Sequence, residues 1–320
     1  MNNEPNAPAK KDSGLSRFFH RHANPSLYLL IAVSLLLLIA RWIDAYLAAG
    51  GEKILQTAIL QLLVFGIPLY VYLRIRKRRA TPYLRLTFPK QPRQLGAIAV
   101  GAVFLICLSF LFCVLCGTVK YTTGSFTLYG LFTAKNSETV NRVPYLILTY
   151  ALLPTLSEEL IFRGVLCAEY EKRGTLFAMI VSVLSYALIQ PDLHQLPSHL
   201  LVGLFLASVC FLTQSLFAPL IVHFVYNLYG IFLQPKLCSY YLSGDNRALL
   251  LILLVFLLLL TGTIFFFMVS AIYRHYAVEK RPYEARETRL TESAKKELLN
   301  PAALCCLLLY IGNIVIRIFI

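Results

Sequence analysis

The sequence predicts an all-α polytopic membrane helix bundle of about eight to nine transmembrane helices, with the amino terminus on the cytoplasmic side. Three observations carry this. The 320 residues are 58% hydrophobic and only 14% charged, where soluble domains carry about 25% charged residues. Several apolar runs exceed the roughly 18 residues that mark a spanning helix. The net charge of +14 is concentrated between those runs, as the positive-inside rule requires. Arg74, Arg76, Lys77, Arg78, Arg79, Arg85, Lys90 and Arg93 follow one another without an acid among them. This pattern points to a cytoplasmic loop and not to nucleic-acid binding.

Residues 1–24 are polar and basic and read as a disordered cytoplasmic tail. Spans are expected near 26–47, 53–73, 95–119, 143–166, 174–190, 199–215, 218–234, 247–273 and 303–320. The last is short and contains Arg317, so an interfacial position is the alternative for it. The first run is longer than a signal-peptide core and lacks a small-residue cleavage site. Segment 274–302 sets Arg274, Lys280, Arg281, Arg286, Arg289, Lys295 and Lys296 against five glutamates and reads as a charged cytoplasmic connector. The loops 120–142 and 235–246 carry fewer cations and fall outside. The domain reading is therefore tail 1–24, helices 25–142, core 143–234 and helices 235–320. No internal repeat or inverted symmetry of the transporter kind is present. Most of the eight cysteines lie in apolar runs. Cys113 and Cys116 form a C-x-x-C with no second pair, and read as packing residues.

The chemistry is concentrated in 143–190. Ser157-Glu158-Glu159-Leu160-Ile161-Phe162-Arg163-Gly164 places two carboxylates and a guanidinium inside an apolar segment. Each carboxylate there costs at least about 2.5 kcal/mol, so such a cluster is a functional-site hypothesis. Glu159 and Arg163 are i,i+4 and pair on one helix face. Glu158 is turned about 100° away, leaving a carboxylate without a cation, as a general base working near neutral pH requires. The plainer alternative is that both glutamates are paired or solvated near a helix end. Arg173-Gly174 suits a turn. Glu158 lies 16 residues before Gly174 and Gln190 lies 16 after it. An antiparallel hairpin thus sets both about 24 Å from the turn. Downstream, His223 and Asn227 share a helix face just after Pro219. They either pack as hydrogen-bonded membrane residues, supply donors to an oxyanion, or offer one metal ligand.

Together these residues resemble the CAAX-protease and bacteriocin-processing (CPBP, or Abi) family of intramembrane proteases, with its motifs E-E-x-x-x-R, F-x-x-x-H and H-x-x-x-N. The first is Glu158-Glu159-x-x-x-Arg163 and the third His223-x-x-x-Asn227. The second departs from the pattern, as Tyr186-Ala187-Leu188-Ile189-Gln190, with glutamine where the family has histidine. The resemblance covers roughly 143–230. It implies an endopeptidase in which Glu158 activates a water, Gln190 or His194 positions it, and His223 with Asn227 stabilises the oxyanion. Glu159 and Arg163 would then hold the helix. A weakly bound zinc ion on Glu158, His194 and His223 is the implied metal alternative to a glutamate-only mechanism. The implied partners are a membrane-associated peptide or protein substrate and the lipid bilayer, in a bacterial plasma membrane. A catalytically impaired scaffold or peptide-binding protein is the other reading, motivated by Gln190.

Overall fold

The computed structural model describes residues 25–47, 53–76, 83–89, 91–119, 143–190, 193–244, 246–278 and 300–319. Among them all regular structure is helical, in ten helices. These are α1 (Pro25–Leu47), α2 (53–75), α3 (Pro92–Leu115), α4 (Val143–Arg173), α5 (Thr175–Ile189), α6 (Leu196–Thr213), α7 (Phe217–Phe232), α8 (Gln234–Ser243), α9 (Arg247–Val278) and α10 (Pro301–Phe319). All nine expected runs are helical. Five of the described helices (α2, α3, α4, α6 and α9) are long and apolar enough to cross a membrane, and α7 with α8, bent by 47°, would make a sixth. The apolar parts of α1, α5 and α10 are shorter. The tail 1–24, the whole of loop 120–142 and most of the connector 274–302 lie outside the described residues.

One expected loop is a helix. Residues 235–246 are expected as a loop between two apolar runs, yet Gln234–Ser243 is helical and ends at Gly244, φ +86°. Leu237, Cys238 and Tyr241 recur at helical spacing and pack on α3 and α9. Pro235 falls in the first turn, where its missing N–H costs nothing.

Two helices contain wide π turns just before a proline. Leu62–Gly66 precedes Pro68 in α2, and Ile147–Leu152 precedes Pro154 in α4. A proline inside a helix removes one donor and crowds the carbonyl four residues back. A wider turn immediately upstream relieves that crowding, as π bulges do. A third π segment, Leu160–Leu166, carries Arg163 and Gly164 and has no proline to explain it. The Glu158–Glu159 pair sits between two wide turns of one helix.

Packing rests on small residues as well as large ones. α3 lies along α9 with glycines at the seam. A Cβ on Gly101 would stand 3.0 Å from Phe265, and one on Gly262 the same distance from Phe104. Phe104 and Phe265 stack with centroids 5.9 Å apart. Within lipid, helix association depends on such close approach, since burial from water no longer drives it. At the other side of the molecule, α1, α2, α4 and α5 share the largest core cluster, around Phe65, Phe162, Leu166 and Tyr170.

The basic end of the bundle is laced together by polar contacts. Glu169 accepts hydrogen bonds from Tyr72 (3.0 Å), Tyr83 (2.7 Å) and Arg76 (3.1 Å). Burial and the neighbouring tyrosine push the Tyr83 phenol well above its ordinary pKa. Arg85 pairs with Glu171, its carbonyl accepts from the Leu216 amide at 3.1 Å, and Thr87 accepts from the Ser215 hydroxyl. The strap 83–89 thereby ties α4 to the α6–α7 turn, with Leu84 buried against Gly164.

The α3–α9 seam makes a direct prediction. Gly101→Leu overpacks against Phe265 and should lower stability in detergent by about 1–3 kcal/mol, read as a lower melting temperature. An unchanged melting temperature would show that the two helices are not held at this distance.

Candidate active site

Four helices bring the polar residues together in the protein interior. α4 supplies Glu158, Glu159 and Arg163, α5 ends at Gln190, and α7 supplies His223 and Asn227. α6 contributes a backbone carbonyl at Gly203. Glu158, Glu159 and Gln190 are fully buried, and Arg163, His223 and Asn227 nearly so.

Glu159 is the hub. Its Oε1 accepts from Arg163 Nη1 at 2.8 Å and lies 2.7 Å from His223 Nδ1. A carboxylate paired to a guanidinium only accepts, so the imidazole proton on this side belongs to Nδ1. That fixes the ring and turns Nε2 to the opposite side, where it stands 4.0 Å from Glu158 Oε2. This separation is beyond direct hydrogen bonding. Arg163 spends a second donor, Nη2, on the Gly203 carbonyl at 3.1 Å. Its guanidinium lies over the Tyr186 ring, 4.6 Å from the centroid. A buried charge persists when it is paired and hydrogen-bonded.

Glu158 is treated differently. Both its oxygens are buried and make no hydrogen bond among the described residues, and the same is true of both polar atoms of Gln190. Buried polar groups of this kind are rare enough to call for a functional explanation. The adjacent glutamates thus have separate environments, one compensated by a cation and an imidazole, the other open to a partner outside the chain.

Two of the expected roles meet a different geometry. Asn227 was considered as an oxyanion donor, but its Nδ2 donates to Thr155 Oγ1 at 3.0 Å and to the Ala151 carbonyl at 3.3 Å. Both amide hydrogens therefore bind α7 to α4. His194 lies in the turn 193–195 and is exposed, whereas Glu158 is fully buried. Gln190, whose side chain makes no hydrogen bond among the described residues, is the second-motif residue left in the interior.

Sequence reading missed three participants. Thr155 is one turn before Glu159 and gave no signal in an apolar run with a proline. Gly203 contributes through its backbone, which side-chain motifs do not reveal. Tyr186 was noticed only as a replacement for phenylalanine, but its ring touches Arg163, stands edge-on to His223 at 6.0 Å and meets Phe162 at 5.6 Å.

The donor set fits a tight zinc centre poorly. A catalytic zinc ion takes three protein ligands. Here His223 Nδ1 is committed to Glu159, a carboxamide stands at 190, and no group of three or more His, Cys, Asp or Glu side chains suited to a metal occurs among the described residues.

Arg163→Met should strand the Glu159 carboxylate in the interior and cost about 3–5 kcal/mol, visible as loss of the folded fraction in detergent. Adding Glu159→Gln should recover a large part of it. No recovery would mean that Arg163 serves the fold through something other than this pair.

The model of the family described as "Type II CAAX prenyl endopeptidase Rce1-like" matches residues 140–229. A curated protein named "Putative membrane peptidase YdiL", from Bacillus subtilis (strain 168), is 26% identical over 106 residues. That alignment covers 33% of this chain and 43% of the relative, so the match spans less than half of either. No solved structure matches. The segment that brings together Glu158, Glu159, Arg163, Gln190, His223 and Asn227 is thus the one that matches the Rce1-like type II CAAX prenyl endopeptidase family.

Proposed function

We propose that the protein is a membrane-embedded endopeptidase in which Glu158 is the general base. The observation that carries this reading is the contrast between the two glutamates. Glu159 Oε1 holds both a guanidinium and an imidazole, while Glu158 is buried, accepts no hydrogen bond among the described residues and stands 4.0 Å from an imidazole nitrogen whose orientation Glu159 fixes. A single water spans such a gap between two polar groups.

In this mechanism Glu158 takes a proton from the water as its oxygen attacks the peptide carbonyl. The resulting oxyanion is stabilised by His223 Nε2 in its protonated state, with Glu159 as counter-charge, and by the Gln190 carboxamide. Such preorganised donors are worth roughly 2.7–4 kcal/mol each in comparable sites. The proton on Glu158 then passes to the leaving nitrogen as the C–N bond breaks. Glutamine cannot exchange a proton near neutral pH, so Gln190 acts as an orienting group and Glu158 is the sole base. Asn227 holds α7 on α4 and so sets the depth of His223. The reading assigns no step to a metal. The substrate is a membrane-associated peptide or protein, and the setting a bacterial plasma membrane.

Gln190 also favours a second reading, in which the same pocket binds a peptide without cleaving it. A buried carboxamide with its donors and acceptor uncommitted is suited to a peptide group.

The test is cleavage of membrane-bound peptides by the purified chain in vesicles. Glu158→Ala should lower the rate at least about 100-fold, the usual contribution of a general base. Full retained activity in that variant would refute the mechanism. The binding-only reading predicts no cleavage by the unaltered chain and a cellular phenotype that survives both Glu158→Ala and Gln190→Ala. Dialysis against a chelator should leave cleavage within about twofold, since the donor set lacks a third ligand. A large loss restored by zinc would overturn the assignment of Glu158 as base without metal.

A further inference from the structure

We propose that Tyr186 and Gly203 form a positioning clamp that sets the imidazole of His223 by way of Arg163 and Glu159. The inference rests on the reading of His223 as a working group of the site. It adds two residues that never touch the reacting atoms.

The clamp begins where α5 crosses α6. A Cβ on residue 203 would stand 3.0 Å from Tyr186 Cδ1 and 3.5 Å from Val183 Cγ1. Glycine at 203 is what allows the Tyr186 ring to approach the α6 backbone this closely. That placement does two things to one guanidinium. The ring face lies 4.6 Å beneath Arg163 Cζ, and the Gly203 carbonyl accepts from Nη2 at 3.1 Å. A cation held between an aromatic face and a carbonyl has little freedom to rotate. Its remaining fork arm, Nη1, is thereby aimed at Glu159 Oε1. The same oxygen receives the His223 Nδ1 proton at 2.7 Å. Tyr186 also meets His223 directly, ring edge to ring face, at 6.0 Å and 84°. The imidazole is thus fixed by its hydrogen bond and by the ring that orients that bond's acceptor.

The arrangement accounts for a feature the mechanism leaves unused. Arg163 lies inside the protein without facing Glu158, and the fold surrounds it with three different contacts. A structural ion pair alone needs only Glu159. The ring and the carbonyl add direction, which matters if the pair's purpose is to place one oxygen. The requirement falls on the ring face and not on the phenol hydroxyl, so phenylalanine at 186 should serve equally well.

The experiment follows the full-length chain in nanodiscs with ¹⁵N-labelled histidine, the His223 signals being assigned by their loss in His223→Gln. The unaltered chain should show a protonated Nδ1 in slow exchange. Tyr186→Phe should leave both His223 nitrogen signals in place. Gly203→Ala and Tyr186→Leu should each shift or broaden them; His199, whose ring also meets Tyr186 at 6.3 Å, is expected to respond as well and is not a control. Because leucine vacates the space that a Cβ on residue 203 would enter, adding Gly203→Ala to Tyr186→Leu should move His223 less than half as far as Gly203→Ala does alone. Unmoved His223 signals in both single variants would overturn the clamp, as would equal shifts in Tyr186→Phe. Melting temperatures are recorded in parallel, and a shift of His223 in Gly203→Ala with a retained melting transition supports positioning over general loosening. None of these readings uses proteolysis. An inactive but correctly clamped protein would count against the peptidase reading alone, and an active protein with an unmoved His223 against the clamp alone.

Discussion

A single carboxylate oxygen organises the interior of this protein. Glu159 Oε1 receives both a guanidinium and an imidazole hydrogen within 2.8 Å, joining α4 to α7. Through the other arm of Arg163 it is joined to α6 as well. In an environment where an isolated charge is prohibitive, Glu159 and Arg163 are mutually obligatory, since removing either strands the other. α4, α6 and α7 are therefore held at the depth where these side chains meet.

The membrane constraint explains why the hub has so many contacts. Apolar packing between lipid-embedded helices gains little over packing against lipid, so small residues and satisfied polar groups do more to specify the arrangement. Both devices are present. Glycines line the α3–α9 seam, and at Gly203 the two devices coincide, a missing side chain permitting a ring contact beside a hydrogen bond. The strap 83–89 supplies a third fastening, with Leu84 seated on Gly164 one residue beyond Arg163.

Much of the helical plan was legible in the sequence because lipid-spanning runs are long and carry few charges. The i,i+4 spacing of Glu159 and Arg163 was likewise enough to place them on one face. The sharing of Glu159 with His223 was not legible, since 64 residues separate the two and no local spacing encodes the approach of α7 to α4. Asn227 shows the limit from the other side. Its place one turn from His223 invited an active role, while Thr155, an unremarkable residue in an apolar run, consumes one of its donors. The helix at Gln234–Ser243 was hidden by its modest hydropathy, although the spacing of Leu237, Cys238 and Tyr241 carried the signal.

The account stands on a division of labour between adjacent glutamates, and melting temperatures in detergent test it without knowledge of the substrate. Glu158→Gln removes a carboxylate that accepts no hydrogen bond among the described residues, so the protein should melt at the same temperature or higher. Glu159→Gln removes the charge shared by Arg163 and His223, and should melt well below the unaltered chain. Equal destabilisation by the two substitutions, or the reverse order, would contradict it.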